Sequence, residues 1–504
     1  MINPSTQIYL CDTPLENDYK NTLTFSNVNE QYNYFASKIV YSFSNYTYQR
    51  KDKTIVINEK VDNVRRCNYL FYRNNDFTNK FFYCFITKVE YVSEESTRIY
   101  IETDVYQTWQ FDIVYRNSFI EREHVNDDTI GSHTVPENVE KGEYVVNRHN
   151  YDNHLLNTSL VVASSVTPSE GISYYGGIFN GIYSGVRYYT YSSTDMTKAL
   201  QYLANESKID AVSSLFLAPS FLCDNQGGAI TNSNEPNQYT LSFNKITTLD
   251  GYTPKNKKLL TYPYVYLNVS NANGSNAIYH QELFGNLGDN KMDFNVYGCL
   301  TPGCSIKCVP IQYKNDIGNY DEGINAGKFP QLNWSTDMFT NWVTQNGVNI
   351  ATSLIGDTAS VGAGIVTGDV LNTASGALSI ANSVREIQLA KKIPPQTSGN
   401  LNCGDVTTSA KENTFHFYNM SIRAEYARII DDYFSMYGYK VNRVKTPNIR
   451  GRRNWNYVKT INCNFTGNIP QDDMQIIKQI FDNGITLWHH SDTFLDYSKN
   501  NDII

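Results

Sequence analysis

Between positions 98 and 105 polar and apolar residues alternate. Ile99, Ile101 and Val105 fall on one side, and Arg98, Tyr100, Glu102 and Asp104 on the other, which is the period of a strand with one buried face. Positions 81–86 are apolar on both sides, with Phe81, Tyr83 and Phe85 against Phe82, Cys84 and Ile86. That pattern predicts a strand covered twice, as in a sandwich or barrel. Asn74-Asn75-Asp76 is a turn signal just ahead of it. From 126 to 330 short β runs are separated by Asn, Gly and Ser, as at 169–177 and 271–276. Positions 195–207 predict one short helix. Tyr262, Tyr264 and Tyr266 predict a strand in which Pro263 marks an edge or a bulge.

Helical spacing returns near the C-terminus. Tyr426, Ile429, Ile430, Tyr433, Phe434 and Tyr437 recur at i, i+3, i+4, i+7, i+8 and i+11, with Gly438 where a helix-ending glycine belongs. A second helix begins at Asp472-Asp473, acids suited to a helix N-terminus. It buries Ile476, Ile477, Ile480 and Phe481, ends at Asn483-Gly484 and precedes a strand at 485–488. The whole pattern predicts a mainly β protein with a few helices, built from several barrels or sandwiches. Its expected parts are an N-terminal β region (1–125), a middle β region (126–330), a segment holding a helix and a long apolar loop (331–398), and an α+β region (399–504) that packs with the first.

Composition sharpens this. A chain of 504 residues is too long for one core, so two to four domains are expected. Charged residues are 18%, below the roughly 25% usual for soluble domains, and 39 tyrosines fill the gap. Tyr suits strands and interfaces, so the balance points to an assembly protein rather than a helical enzyme. The net charge of −8 disfavours sequence-specific nucleic-acid binding, which needs a basic surface. Nine scattered cysteines do not form a disulfide framework and are expected reduced. The start lacks signal-peptide features and no run of 18 apolar residues occurs, so folding in a cytoplasm is expected.

Few constellations carry chemistry. Residues 346–384 contain no Lys, Arg or Glu, and only Asp357 and Asp369 are charged. Gly, Ala, Ser and Thr dominate, with Ile350, Leu354, Ile355, Ile365, Val366, Val370, Leu371, Leu378 and Ile380 interspersed and Gly362 and Gly364 suited to a bend. Such a segment can enter a bilayer, because small residues pack closely and missing charge lowers the insertion cost. It is also compatible with a solvated linker or a buried helical hairpin. Gly362, Gly364 and Gly368 miss the dinucleotide fingerprint spacing, and no cofactor is expected. Cys299, Cys304 and Cys308 lack the pairing of structural zinc, so they are expected as buried strand cysteines and no metal is expected. Glu121 and Glu123 share a strand face beside His124, which is read as a structural or intersubunit feature rather than an acid–base site. No catalytic constellation stands out. The basic stretch Lys440, Arg443, Lys445, Arg450, Arg452, Arg453 and Lys459, with Trp455 and Tyr457 among it, fits either phosphate contact or pairing with acidic neighbours across an interface.

Several blocks then carry a resemblance. Asn17-Asp18-Tyr19-Lys20-Asn21-Thr22, Asp104-Val105-Tyr106-Gln107-Thr108-Trp109, Ile393-Pro394-Pro395-Gln396, the run from Tyr437 to Lys445 and the run from Phe481 to His489 stand in the order seen in one family. The chain resembles the tail knob proteins of φ29-like podoviruses, although residues 126–255 show no such likeness. The resemblance implies a mostly β tube of six copies at the distal end of a phage tail, in contact with other tail proteins and with DNA passing through without sequence recognition. It also implies long apolar loops that plug the tube and later help breach the host membrane. Residues 346–384 stand where those loops belong. A rival from another class is an adsorption protein that binds host-wall glycan through its Tyr- and Asn-rich middle. A wall-degrading enzyme is a third.

Overall fold

The computed structural model describes residues 5–46, 53–74, 77–168, 172–179, 182–191, 195, 199, 202, 203, 206, 208, 211–223, 237–272, 274–285, 290–318, 320–327, 329, 331–333, 413–450, 456–499 and 501. It is mostly β. The chain divides into two compact units, each assembled from distant stretches. One comprises Met1–Gly142, Tyr252–Leu259 and Ala424–Ile504; the other comprises Glu143–Gly251 and Leu260–Arg423.

The first unit holds a six-stranded antiparallel sheet. Its spatial order is Ile39–Tyr46, Thr6–Cys11, Tyr69–Asn74, Phe77–Ser93, Ser96–Thr103 and Thr54–Ile57. Both sides of this sheet are covered, as the double apolar pattern at 81–86 predicts. Phe82 and Cys84 enter one buried cluster with Leu70 and Trp109, while Tyr83 and Phe85 enter another with Phe35, Tyr69 and Trp488. A second sheet runs Asn21–Leu23, Ile485–Trp488, Tyr457–Ile461, Ser118–Glu123 and Tyr439–Lys445. Its first pair is parallel and joins the two ends of the chain. The Trp488 indole N–H donates to Asn21 Oδ1 at 3.0 Å.

Several elements depart from the sequence expectation. The strand expected over 98–105 stops at Thr103, because Asp104 turns the chain into a short helix, Val105–Trp109. Its carboxylate accepts the Gln107 N–H at 3.0 Å and the Tyr69 hydroxyl at 2.9 Å. Complete burial pushes that carboxyl up to about 7, against the opposing pull of these hydrogen bonds. The strand expected around Tyr262–Tyr266 begins only at Val265, and the cis Tyr262–Pro263 bond lies in the turn before it. Positions 172–177, read as turn-rich, belong to the strand Ile172–Phe179. Cys299 is exposed at the end of its strand, whereas Cys304 and Cys308 are buried. The helix expected over 195–207 lies largely outside the described residues.

Among its described residues the second unit contains two five-stranded sheets and one of four strands. The four-stranded sheet runs Asn276–Tyr279, Val265–Ser270, His416–Ile422 and Tyr144–Tyr151, all antiparallel. Its inner face sends Leu267, Val269, Tyr279 and Phe417 into the unit's largest core, where they meet Phe294, Phe284 and Val296.

Candidate functional site

The basic stretch begins in the edge strand Tyr439–Lys445, which pairs with Ser118–Glu123. Tyr439 and Val441 point inward. At Asn442 the backbone takes a φ of 49°, and the pairing with Ser118–Glu123 slips. On the other side of Ser118–Glu123 the register jumps from Arg122 to Ile120, so Glu121 is an extra, bulged residue. The bulge corrects the expectation that Glu121 and Glu123 share a face. Glu121 lies 2.9 Å from the Lys459 ammonium, while Glu123 is buried, pairs with Lys445 and accepts the Asn448 N–H at 2.9 Å.

Lys445 and Lys459 are therefore neutralised within the same chain, by a strand more than three hundred positions earlier. Arg443 and Arg450 are exposed, and Arg452, Arg453 and Trp455 lie outside the described residues. Lys440 is half-buried and gives its backbone N–H to Glu137 at 2.9 Å. His124 is a buried link in the same seam. Its Nδ1 accepts the Tyr457 N–H at 2.6 Å and its Nε2 stands 3.1 Å from the Ser435 carbonyl. An amide can only donate and a carbonyl only accept, so the ring is held as the Nε2–H tautomer. That is a structural use of a histidine.

Two further carboxylates complete the seam, and neither stood out in the sequence. The Glu137 side chain is fully enclosed and pairs with both Arg122 and Lys258, the latter at 2.5 Å. Burial holds the Lys258 ammonium below its ordinary value, and the Glu137 charge opposes that shift. Asp431, on the helix Ala424–Tyr437, accepts the Tyr252 hydroxyl and Lys255 N–H at 2.7 Å each. It also accepts the Asn256 N–H at 3.0 Å and the Asn256 amide at 2.7 Å. Glu137, through Lys258, and Asp431 thus hold the stretch Tyr252–Leu259 onto its unit.

The chemistry of this arrangement is cross-linking. Glu137→Gln is expected to destabilise the unit by about 3–5 kcal/mol, since it leaves Lys258 and Arg122 charged in a buried site without their counter-ion. Adding Lys258→Met is expected to recover part of the loss. A thermal melt of Glu137→Gln superimposable on the parent would contradict this account. Among the described residues no group of three His, Cys, Asp or Glu side chains has metal-ligand geometry. No helix among them is long and apolar enough to cross a membrane. Residues 346–384, including Ile350 to Ile380 of the apolar series, lie outside the described residues.

The architecture is β-rich, and the ionisable groups of this seam serve to hold it together. The family described as the C-terminal domain of tail knob protein gp9 of Bacillus phage phi29 matches residues 229–502, and the N-terminus of the caudoviral major tail protein family matches residues 4–115. Tail knob protein gp9 of Bacillus phage phi29 is 29% identical over 98% of both chains, and its counterpart from Bacillus phage B103 is 28% identical over 98% of this chain and 97% of that one. The solved tail knob protein gp12 of bacteriophage C1 superposes with a TM-score of 0.64 at 16% identity, covering 99% of this chain and 100% of its own. The chain belongs to the phi29 tail knob protein family, as a structural component of a bacteriophage virion tail.

Proposed function

We propose that six copies close into a ring at the distal end of the tail, that the ring conducts the genome during ejection, and that residues 346–384 plug it and then help breach the host cell membrane. The observation that carries this reading is the 39-residue stretch 346–384 without Lys, Arg or Glu, in a chain of family-wide likeness to tail knob proteins. Net acidity supports passage of DNA without adhesion. Among the described residues of the basic stretch, Arg443 and Arg450 are exposed and suited to meet phosphate or a neighbouring subunit, whereas Lys445 and Lys459 already have carboxylate partners. The role needs no catalysis and no cofactor. Its partners are five further copies, other tail proteins, the host membrane and passing DNA.

A ring made from one chain requires head-to-tail contacts that close by rotation. Mass measurement of the assembled particle is expected to give six copies, with a six-fold tail tip in electron micrographs. A trimer or a monomer would refute the ring.

A further inference from the structure

The outer face of the four-stranded sheet in the second unit carries mainly aromatic, amide and aliphatic side chains. Cross-strand register places Ile278, Asn268, Tyr418 and His149 in one row. The next row brings Asn276, Ser270, His416 and Tyr151 together. Toward the other end Tyr266, Met420 and Val146 align.

The rings on this face are ordered against one another. His149 stacks on Tyr418 at 4.5 Å with planes 5° apart, and its Nε2 stands 3.0 Å from His416 Nδ1. At the other end Tyr262 stacks on His280 at 4.0 Å and 7°, while Tyr144 and Tyr262 both pack on Tyr266. Tyr151 and Ile278 are each half exposed, at 50%. Aromatic rings already packed in place lose little freedom when a ligand arrives.

No Asp, Glu, Lys or Arg stands among these positions. Arg148 pairs in register with Asn419 and so takes the opposite parity. Burial, followed by the nearby Lys314 charge, holds His280 below its ordinary value and so favours its neutral form. Nucleic acid is therefore a poor occupant, because single-strand platforms combine stacking with cations along the backbone. Size argues against a second copy of the chain. Four strands about 4.8 Å apart and three rows about 7 Å apart cover roughly 400 Å². A standard protein interface needs about 800 Å² on each side.

We propose that this face binds a neutral glycan, with sugar rings laid on Tyr418 and Tyr266 and hydroxyls bonded by Asn268, His149 and Tyr151. The apolar C–H side of a sugar ring complements the negative face of an aromatic ring. Asn, His and Tyr supply donors and acceptors without charge, as sugar hydroxyls require. The site adds a contact with carbohydrate to a protein whose proposed role is conduction.

The test titrates the full-length protein with the hexamers of N-acetylglucosamine and of β-linked glucose, by calorimetry and saturation-transfer NMR. Oligothymidylate is the control for nucleic acid, and sedimentation velocity the control for self-association. At least one hexamer is expected to bind with a Kd on the order of a millimolar or tighter. Tyr418→Ala is expected to weaken it about tenfold and Tyr418→Phe to retain it. Tyr151→Ala, at an exposed position where folding is safe, is expected to weaken it as well. Failure of both hexamers to saturate at tens of millimolar would overturn the proposal. So would oligothymidylate binding that Tyr418→Ala abolishes, or self-association that Tyr151→Ala removes without any effect on a sugar.

Discussion

Deletion of residues 350–380 is expected to abolish dye leakage from liposomes and infectivity while leaving ring assembly intact. The 39 residues of 346–384 are enough for two membrane crossings of about 20 residues each. One copy is too polar to stay inserted, because Thr, Ser, Asn and two Asp residues dilute its Ile, Val and Leu. In the proposed ring, six copies would turn those polar sides to a shared wet lumen and present Ile350, Leu354, Ile355, Ile365, Val366, Val370, Leu371, Leu378 and Ile380 to lipid, with Gly362 and Gly364 allowing a bend. Asp357 and Asp369 are then the expensive residues, at about 2.5–3.5 kcal/mol each if ionised at the bilayer centre. Protonation removes that cost, so leakage by the intact protein is expected to rise as pH falls. Asp357→Asn with Asp369→Asn is expected to flatten that dependence. Leakage undiminished in the deletion variant would sink the membrane role, as would an intact protein inert at every pH tested.

Local periodicity carried the elements well, and long-range chemistry set their details. The double apolar pattern at 81–86 was legible because each face meets a separate apolar core, so no polar partner had to be guessed. The helix expected from Tyr426 to Tyr437 exists as Ala424–Tyr437, and Gly438 ends it with a φ of 65°. Its buried face, however, is Ala427, Ile430, Asp431, Phe434 and Ser435, and Ile429 is 67% exposed. The helix is turned because Asp431 and Ser435 meet Asn256, about 175 positions earlier, and a local window cannot see that partner. The following helix starts one residue sooner than expected, at Gln471, and leaves Ile476 exposed. The lysines at 445 and 459 read as a basic patch for the same reason. Their carboxylates lie on Ser118–Glu123, far away in sequence and adjacent only once the sheet forms. Asp431 did leave one trace, since it shares the i, i+4 face of Ala427 and Ser435 between Ile430 and Phe434.

A fragment of residues 1–125 is expected not to fold alone, and limited proteolysis of the whole chain is expected not to release it as a stable product. The strand Ser118–Glu123 is flanked on both sides by strands from the C-terminal stretch, Tyr439–Lys445 and Tyr457–Ile461. Cut away from them it keeps neither neighbour. Asn21–Leu23 likewise loses its parallel partner Ile485–Trp488, and Trp109 loses the Asp473 carboxylate that accepts its indole N–H at 2.9 Å. The core suffers most. Val458, Phe465, Ile477, Ile480, Phe481, Ile485 and Leu487 are buried in one cluster with Ile8, Leu70, Ile99 and Trp109. At about 1.5–3 kcal/mol for each buried side chain, the missing seven account for roughly 10–20 kcal/mol as an upper bound. A domain's whole stability is about 5–15 kcal/mol, so the deficit is as large as the quantity it is taken from. The check is amide hydrogen exchange on the fragment, where protection at Leu70–Tyr72 and Phe82–Phe85 is expected to be lost. Co-expression with residues 424–504 is expected to restore part of it, because those residues supply all three missing strands and the helix Gln471–Asn483. A dispersed, protected amide spectrum from residues 1–125 by themselves would show that the N-terminal sheet needs no C-terminal support.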